Sequence, residues 1–304
     1  MRLESALHLA LALLLAPLLL GVVNRIKACF AGRQGPPLRQ PYFDLAKALR
    51  KGAVYSRTTT WVFRLGPAAG LAAALAALAL TPLGSARALL SFPGDLLLLA
   101  YLLGSMRFAT MLAALDTGSA FEGMGASREA WFSMLAEPAL LLALAAQAAR
   151  TQNYSLSGMM QGLSWAGLSQ PGGPAVALVA LVLFLVLLTE NARIPVDDPN
   201  THLELTMIHE AMVLDHGGVD LGLIQYGAAL KLWIFAALLA GVLAPARLDW
   251  PLANLAIGVA IVFAVAAGVG IVESTLARLN MPRVPQLLVA SSALAALALA
   301  IVLR

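Results

Sequence analysis

Eight long apolar stretches divide this chain of 304 residues, and they constrain its fold more than any other feature of the sequence. A helix that crosses a hydrocarbon core of roughly 30 Å needs about 20 apolar residues, because it rises 1.5 Å per residue. The stretches are continuous Leu, Ala and Val runs that lack the alternation of barrel strands, so they predict helices. The predicted spans cover about residues 5–24, 66–86, 95–115, 130–149, 174–190, 221–244, 251–273 and 284–303.

Composition leads to the same class of protein. Hydrophobic residues make up 60% of the chain and charged residues only 12%, which leaves too little polar surface to cover a fold in water. We therefore expect an all-α integral membrane protein that forms a single transmembrane domain over residues 1–304. Arg25 and Lys27 follow the first apolar stretch without an A-x-A cleavage site, so this stretch is expected to be a retained anchor rather than a signal peptide.

Lysines and arginines are distributed unevenly between the two sets of loops. Thirteen of the 20 lie in loops on the side of residues 25–65, five lie on the other side, and Arg107 and Lys231 lie within spans. By the positive-inside rule, the 25–65 side is cytoplasmic and both termini are outside. Most of the acids lie on this same side, although the rule does not require it. A surface this polar indicates docking to a partner, with a merely solvated loop face as the alternative.

Cysteine and histidine usage excludes several kinds of cofactor site. Cys29 is the single cysteine, so disulfide frameworks, C-x-x-C redox sites and protein-ligated iron–sulfur clusters are excluded within this chain. The string HEAMVLDH begins like a zinc motif, but His216 follows His209 at i+7, too far along a helix to complete an i, i+4 pair. No phosphate-binding glycine motif is present. The sequence predicts no metal, nucleotide or nucleic-acid site.

Five charged residues interrupt or end the apolar spans. Each costs about 2.5–3.5 kcal/mol at the bilayer centre on insertion scales, so such groups normally face the bundle interior or a wet cavity. Alternating acids and bases inside a bundle are what a proton relay needs. For residues near span ends, snorkelling to the interface is the simpler alternative. The five residues are Arg107, Glu137, Glu190, Lys231 and Glu273.

Three stretches on the predicted cytoplasmic side carry distinct patterns. Residues 32–52, GRQGPPLRQPYFDLAKALRKG, place apolar and charged residues as in a short amphipathic helix that lies in the membrane interface. Residues 115–132, LDTGSAFEGMGASREAWF, are rich in Gly and Ser and predict an ordered loop held by a partner.

The third stretch, residues 190–210, reads ENARIPVDDPNTHLELTMIHE and gathers acids directly after an uncharged run. Pro195 and Pro199 stop the fifth span, and residues 201–214 are expected to resume a helix. His202 and His209 would share one face of that helix. Glu190 and Arg193, at i and i+3, are expected to pair at the membrane boundary.

These motifs resemble the subunit 1 family of respiratory complex I and its relatives in membrane-bound NiFe-hydrogenases, over nearly the whole chain. The strings FRLGP, GASREA and MPRVPQLL are similar to family strings before the second, fourth and last spans. Val196, Asn200 and His202 depart from the complex I loop form E-x-x-R-x-P-F-D-x-P-E-x-E-x-E. The loop form is matched by Glu190, Arg193, Pro195, Asp197, Pro199 and Glu204.

In the strings that contain these departures, the chain resembles one branch of the family. This branch is the group 4 membrane-bound NiFe-hydrogenases, which include formate hydrogenlyase and hydrogenase-4. The resemblance implies a membrane anchor and coupling subunit in a prokaryotic cytoplasmic (inner) membrane, which binds no redox cofactor itself. The NiFe centre and iron–sulfur clusters would lie in partners, namely hydrogenase large and small subunits and an iron–sulfur subunit of the peripheral arm. Antiporter-like membrane subunits would move protons or sodium. Loss of two loop glutamates argues against a quinone site.

The resemblance also assigns roles to individual residues. Glu137 falls where the family has a glutamate in its fourth span, and it is expected to carry protons together with Glu190. Arg193 is expected to orient the loop acids. The predicted coupling residues are Glu137, Glu190, Arg193, Asp197, Glu204, Glu210, Lys231 and Glu273. The predicted docking residues are Arg64, Asp116, Glu122, Arg128, His202 and His209.

Two other functions stay open on the sequence alone. One is the quinone-chamber subunit of a respiratory NADH:quinone oxidoreductase. The other is a stand-alone secondary ion transporter, although residues 1–150 and 151–304 contain no convincing internal repeat of the kind transporters show. Residues 151–173 are too polar to span and are expected on the outer surface, with a short amphipathic helix around residues 159–165.

Overall fold

The computed structural model describes residues 3–161, 173–197, 207–244 and 248–304. Within these ranges, eight helices are long and apolar enough to cross a membrane, so the predicted all-α integral membrane fold is confirmed. The helices are α1 Leu3–Phe30, α2 Gln40–Arg50, α3 Trp61–Ala79, α4 Asp95–Asp116, α5 Ala120–Thr151, α6 Leu156–Gln161, α7 Gly173–Glu190, α8 His209–Met212, α9 Gly218–Leu243, α10 Pro251–Thr275 and α11 Val284–Leu303.

Helix α9 forms the centre of the bundle. Residues 229–240 are buried without interruption, which explains why this helix is apolar on every side. Helices α1, α3, α7 and α10 pack against it, while α5 packs against α7 and α11. The end of the bundle that carries α2 and α8 is called the loop end below.

Three spans differ clearly from their predicted bounds, and the first of them, α1, continues beyond the predicted residue 24 to Phe30. Helix α3 begins at Trp61 because Thr60 caps it, with the Val62 amide donating to the Thr60 hydroxyl at 3.2 Å. It ends at Ala79, close before Pro82, whose ring disfavours helical backbone at the preceding residue.

The Gly- and Ser-rich stretch at residues 115–132 is helical from Ala120 onward, so the prediction of a loop there is wrong. Packing of this first part of α5 against α8 compensates for its weak helix propensity. The fourth span is therefore a helix of 32 residues that extends well beyond the predicted 130–149.

The short helices agree with the sequence in part. Helix α2 confirms the predicted amphipathic helix, and it packs against α1 and α9. In the described part of the expected 201–214 helix, only His209–Met212 is helical, because the chain turns at Val213 to bring His216 against Phe63. Helix α6 begins at Leu156, earlier than expected, since Asp95 accepts the Leu156 amide at 2.7 Å. The rest of that prediction, residues 162–172, lies outside the described residues.

Candidate functional site

Glu190 lies at the centre of a group of charges inside the bundle. It is the last residue of α7 and is 7% exposed. One carboxylate oxygen contacts the Arg107 guanidinium of α4, and the other lies 2.9 Å from Lys231 Nζ of α9. On the far side of Arg107, Glu137 Oε2 of α5 lies 3.8 Å from Nη2. Four helices thus contribute to one cluster, which we call the inner cluster.

Burial explains why these charges occur together. An unpaired ion inside a protein loses its hydration without compensation, whereas an acid held between two cations keeps favourable electrostatic partners. Arg107 and Lys231 are both buried, but the Glu137 side chain remains 37% exposed. The cluster therefore reaches from the interior of the bundle to the outer surface of α5.

Glu129 is a further acid of this region that the sequence analysis left without a role. It lies on α5, accepts a hydrogen bond from the Ser133 hydroxyl at 3.4 Å, and interacts electrostatically with Lys231, Glu190 and Arg107. Its assignment to a loop hid it, because a charge in a solvated loop carries no cost. Helical periodicity from Ala120 onward would have placed it on the same helix as Glu137.

A second pair of contacts surrounds Glu273 near the loop end. Its carboxylate lies 2.8 Å from Lys27 Nζ of α1 and 3.3 Å from Arg193 Nη1. The predicted pair between Glu190 and Arg193 is therefore wrong. The i, i+3 rule holds only within a helix, and α7 ends at Glu190, followed by a turn with positive φ at Ala192.

The stretch after α7 is called the acid-rich loop below, and residues 191–197 and 207–208 of it are described. Asp197 joins this loop to two other segments. Its Oδ1 lies 3.0 Å from Arg278 Nη2, and its Oδ2 accepts the His209 amide at 3.2 Å. Arg278 is thus an ion-pair partner of Asp197 that the sequence analysis counted only as a loop charge. Burial and the positive charge of Lys231 lower the pKa of His209 from 6.5 to about 4. His209 is therefore neutral at pH 7.

The string GASREA holds this loop against α5. Arg128 donates to the Met207 carbonyl oxygen at 2.8 Å. A Cβ atom at Gly125 would lie 2.9 Å from the Ile208 carbonyl oxygen, so a larger residue there would push the loop away. The motif that carried part of the resemblance thus has a packing role in this chain.

The remaining predicted docking residues occupy separate places at the loop end. Asp116 caps α3, since its carboxylate accepts the amides of Thr60 and Phe63 at 2.6 and 3.2 Å. Glu122 is buried and accepts the Asp215 amide at 3.2 Å, while exposed Arg64 lies over the Tyr55 ring. His202 and Glu204 lie outside the described residues. Docking by this set stays a prediction.

A cavity of about 580 Å³ extends from the loop end into the bundle. Toward the loop end its walls include α1 and α2, through Pro17, Asn24 and Asp44. Arg107, Glu129, Glu190 and Lys231 line it deeper in the bundle, and Arg193, His209, Glu210 and His216 line it beside the acid-rich loop. The cavity thus places the loop and the inner cluster along one continuous space.

These features define a class: a multi-pass helical membrane protein in which paired charges extend from a polar loop into the bundle. The family model described as NADH dehydrogenase matches residues 3–304, and the chain belongs to that family. The predicted resemblance to the subunit 1 family is confirmed.

Two curated relatives come from Escherichia coli (strain K12). The chain is 33% identical to formate hydrogenlyase subunit 4 over 232 residues, which cover 76% of this chain and 73% of the relative. It is 31% identical to hydrogenase-4 component C over 233 residues, which cover 77% and 72%. A chain of the membrane-bound sulfane sulfur reductase, an archaeal respiratory membrane complex, has the same fold. Its TM-score is 0.83 at 22% identity, covering 99% of this chain and 98% of that one.

Proposed function

We propose that this chain is the membrane anchor and coupling subunit of an energy-converting NiFe-hydrogenase complex of the formate hydrogenlyase type. It would link redox chemistry in a peripheral arm to translocation of protons or sodium. The observation that carries this proposal is the series of paired charges between the acid-rich loop and the inner cluster. It is supported by the names of two curated relatives, which are a subunit of formate hydrogenlyase and a component of hydrogenase-4.

The coupling follows from the electrostatics of these pairs. A change of charge in the peripheral arm would disturb Asp197 and its partners Arg278 and His209. Because a carboxylate gains a proton more readily when a nearby negative charge approaches or a cation withdraws, a small shift can load or release a proton. Glu190, Glu129 and Glu137 are then the groups that hold the proton in turn.

Cofactors and partners follow from the same proposal. The chain binds no redox cofactor, and the NiFe centre and iron–sulfur clusters belong to hydrogenase large and small subunits and an iron–sulfur subunit. Antiporter-like membrane subunits contact the outer surface of α4 and α5, where Glu137 is accessible. The site of action is a prokaryotic cytoplasmic membrane with both termini outside.

Co-purification tests the identity of the complex. The tagged chain is isolated from membranes in mild detergent, its partners are identified by mass spectrometry, and viologen-driven hydrogen evolution is measured on the same sample. A NiFe large subunit together with hydrogen evolution is the expected result. NADH-oxidising flavoprotein subunits without hydrogen evolution would place the chain in complex I instead, and a chain that purifies alone would favour the transporter.

Replacement of Glu137 tests the coupling role. Glu137→Gln is expected to leave the complex assembled and evolving hydrogen, while ion translocation falls. Glu4→Gln, an acid at the other end of the bundle, is the matched control and should translocate normally. Normal translocation by the Glu137 variant would remove Glu137 from the pathway.

Asp197→Asn distinguishes a coupling role of the acid-rich loop from a docking role. If the complex of that variant lost the whole peripheral arm, the loop would be a docking surface only.

A further inference from the structure

His216 is a buried histidine to which the proposed coupling pathway gives no role. It lies between α8 and α9, is 4% exposed, and stacks on the Phe63 ring of α3 with centroids 4.0 Å apart and planes at 8°. Neither ring nitrogen has a hydrogen-bond partner in the part of the chain that the structure describes. A buried polar atom without a partner costs about 1–3 kcal/mol, so an imidazole in this position calls for a function.

His216 lies between the protein surface and the cavity. The preceding residues, Leu214 and Asp215, are exposed, whereas His216 itself lines the cavity. The same cavity is lined by Glu129, Glu190 and Lys231. A cavity of this size, with several charged side chains on its wall, can hold water at those groups, and such water conducts protons between groups that are not in direct contact.

Charged and titratable groups face His216 from each neighbouring segment. Asp215 and Asp220 interact with it electrostatically from its own loop and from the first turn of α9. Other segments contribute Glu122 of α5 through the Asp215 amide, Tyr55 and Arg64 beside Phe63, and Glu210 of α8 on the cavity wall.

The protonation state of His216 suits reversible proton transfer. Burial lowers the pKa of His216 below 6.5, while the negative charges of Asp220 and Asp215 act in the opposite direction. The ring is therefore mainly neutral near pH 7, yet two carboxylates are positioned to stabilise a transient positive charge. Neutral imidazole can accept a proton at one nitrogen and release another from the second nitrogen.

We propose that His216 is a proton shuttle between water at the loop end, beside Asp215, and the cavity that reaches Glu129 and Glu190. A proton binds one ring nitrogen and forms imidazolium, and the other nitrogen then releases its proton to cavity water. The ring is left neutral in its other tautomer, and proton exchange through water restores the first. This inference rests on the proposed coupling function, because it supplies the protons that the inner cluster moves.

Chemical rescue tests the shuttle in the intact complex. The complex is reconstituted in vesicles, and proton movement is followed with a pH-sensitive dye during hydrogen evolution. His216→Ala is expected to slow proton movement by about tenfold or more. Free imidazole, which fits the space left by the side chain, should restore it. His216→Phe keeps the stacking on Phe63 but fills the space, so it should be equally slow and should not respond to imidazole.

His8→Ala provides the matched control. His8 is also buried and stacked on an aromatic ring, Trp233, whose Nε1 donates to it at 3.4 Å, and it is not among the residues that line the cavity. Imidazole should have no effect on this variant.

The outcomes for the His216 variants decide the proposal. Unchanged proton movement in both His216 variants, or a loss in His216→Ala that imidazole does not restore, would overturn the shuttle. If the shuttle were overturned in this way but Glu190→Gln abolished proton movement, the coupling function would stand. Wild-type vesicles that evolve hydrogen and move sodium but no protons would overturn the shuttle alone, and vesicles that move neither ion would overturn the coupling function as well.

Discussion

Glu190 is the residue of the inner cluster that contacts two buried cations, so its charge matters more than that of any single neighbour. Glu190→Gln would leave Arg107 and Lys231 without their shared acid. Removing one partner of a buried ion pair costs about 3–5 kcal/mol, because the remaining charge stays desolvated. We expect a lower melting temperature of the detergent-solubilised complex, measured by fluorescence-detected size exclusion after heating.

A second substitution, Lys231→Met, distinguishes an effect of charge balance in the inner cluster from an effect of packing. Lys231→Met in the Glu190→Gln background removes the excess cation, so part of the lost stability should return. The same Lys231 change in the wild-type chain should destabilise, since it leaves Glu190 with one cation fewer. A double variant that is less stable than either single variant would show that the contacts do not act through charge.

His209 makes a prediction about pH. Its pKa falls from 6.5 in the unfolded chain to about 4 in the folded protein, because burial disfavours the charged ring. Above pH 6.5 the ring is neutral in both states and has no effect. As the pH falls from there toward 4, the unfolded chain takes up a proton that the folded protein does not, and up to about 3 kcal/mol of stability is lost.

The measurement is the melting temperature of wild-type and His209→Gln protein across this pH interval. The wild type should lose stability toward acid, and the variant should lose less. The slope does not vanish in the variant, because burial also lowers the pKa of His216. Equal slopes for the two proteins would show that folding does not lower the pKa of His209.

The sequence could predict which single residues matter more easily than how they pair. Arg107, Lys231 and Glu273 were predicted from membrane depth alone, and all three are buried and ion-paired. Their partners could not be predicted, because the acid and base come from helices far apart in the chain. Lys27 illustrates the difficulty, since nothing near it in the sequence indicates its contact with Glu273.

At the scale of the helix, Pro17 leaves a carbonyl oxygen of α1 without its usual amide donor, and another helix supplies a hydroxyl donor instead. A proline at this position has no amide hydrogen for the Leu13 carbonyl oxygen one turn earlier. The Tyr226 hydroxyl of α9 donates to that oxygen at 2.9 Å, and the Tyr42 hydroxyl of α2 donates to the Leu14 carbonyl oxygen at 2.5 Å. Both tyrosines thereby attach neighbouring helices to α1.

Tyr226→Phe tests the hydrogen bond from the Tyr226 hydroxyl to the Leu13 carbonyl oxygen. Loss of the hydroxyl leaves the Leu13 carbonyl oxygen unpaired inside the bundle, and we expect the free energy of unfolding to fall by about 1–2 kcal/mol. Pro17→Ala returns the missing amide donor, so Tyr226→Phe should cost less in that background. Thermal unfolding of the four proteins of this double-mutant cycle gives the interaction energy. Equal costs in the two backgrounds would mean that the tyrosine acts by packing alone.

Apolar length located all eight spans, because burial of a spanning helix leaves a strong compositional signal. Helix ends were less predictable, since they depend on contacts between segments. The carboxylate of Asp116 contributes to the start of α3 across a distance of more than fifty residues. The first part of α5 is rich in small residues whose helical state depends on packing against α8.

At the scale of the whole molecule, polar function is concentrated at the loop end. This end carries the basic residues of the 25–57 segment, the described part of the acid-rich loop, α2 and α8. The cavity extends from there toward the inner cluster. Since lipid surrounds the sides of the bundle, we expect ions and partner proteins to reach the cavity from this end. The side of the membrane that the loop end faces therefore decides the direction of coupling.

The single cysteine allows that side to be determined in the native sequence. Cys29 is exposed at the loop end of α1, and from the positive-inside rule we expect it on the cytoplasmic side. A maleimide reagent that does not cross membranes should label it in inverted vesicles and leave it unlabelled in intact spheroplasts. The control replaces Cys29 by Ser and introduces a cysteine at the exposed Arg304, which should be labelled in spheroplasts only. Labelling of native Cys29 in spheroplasts would reverse the orientation and, with it, the side from which His216 takes up protons.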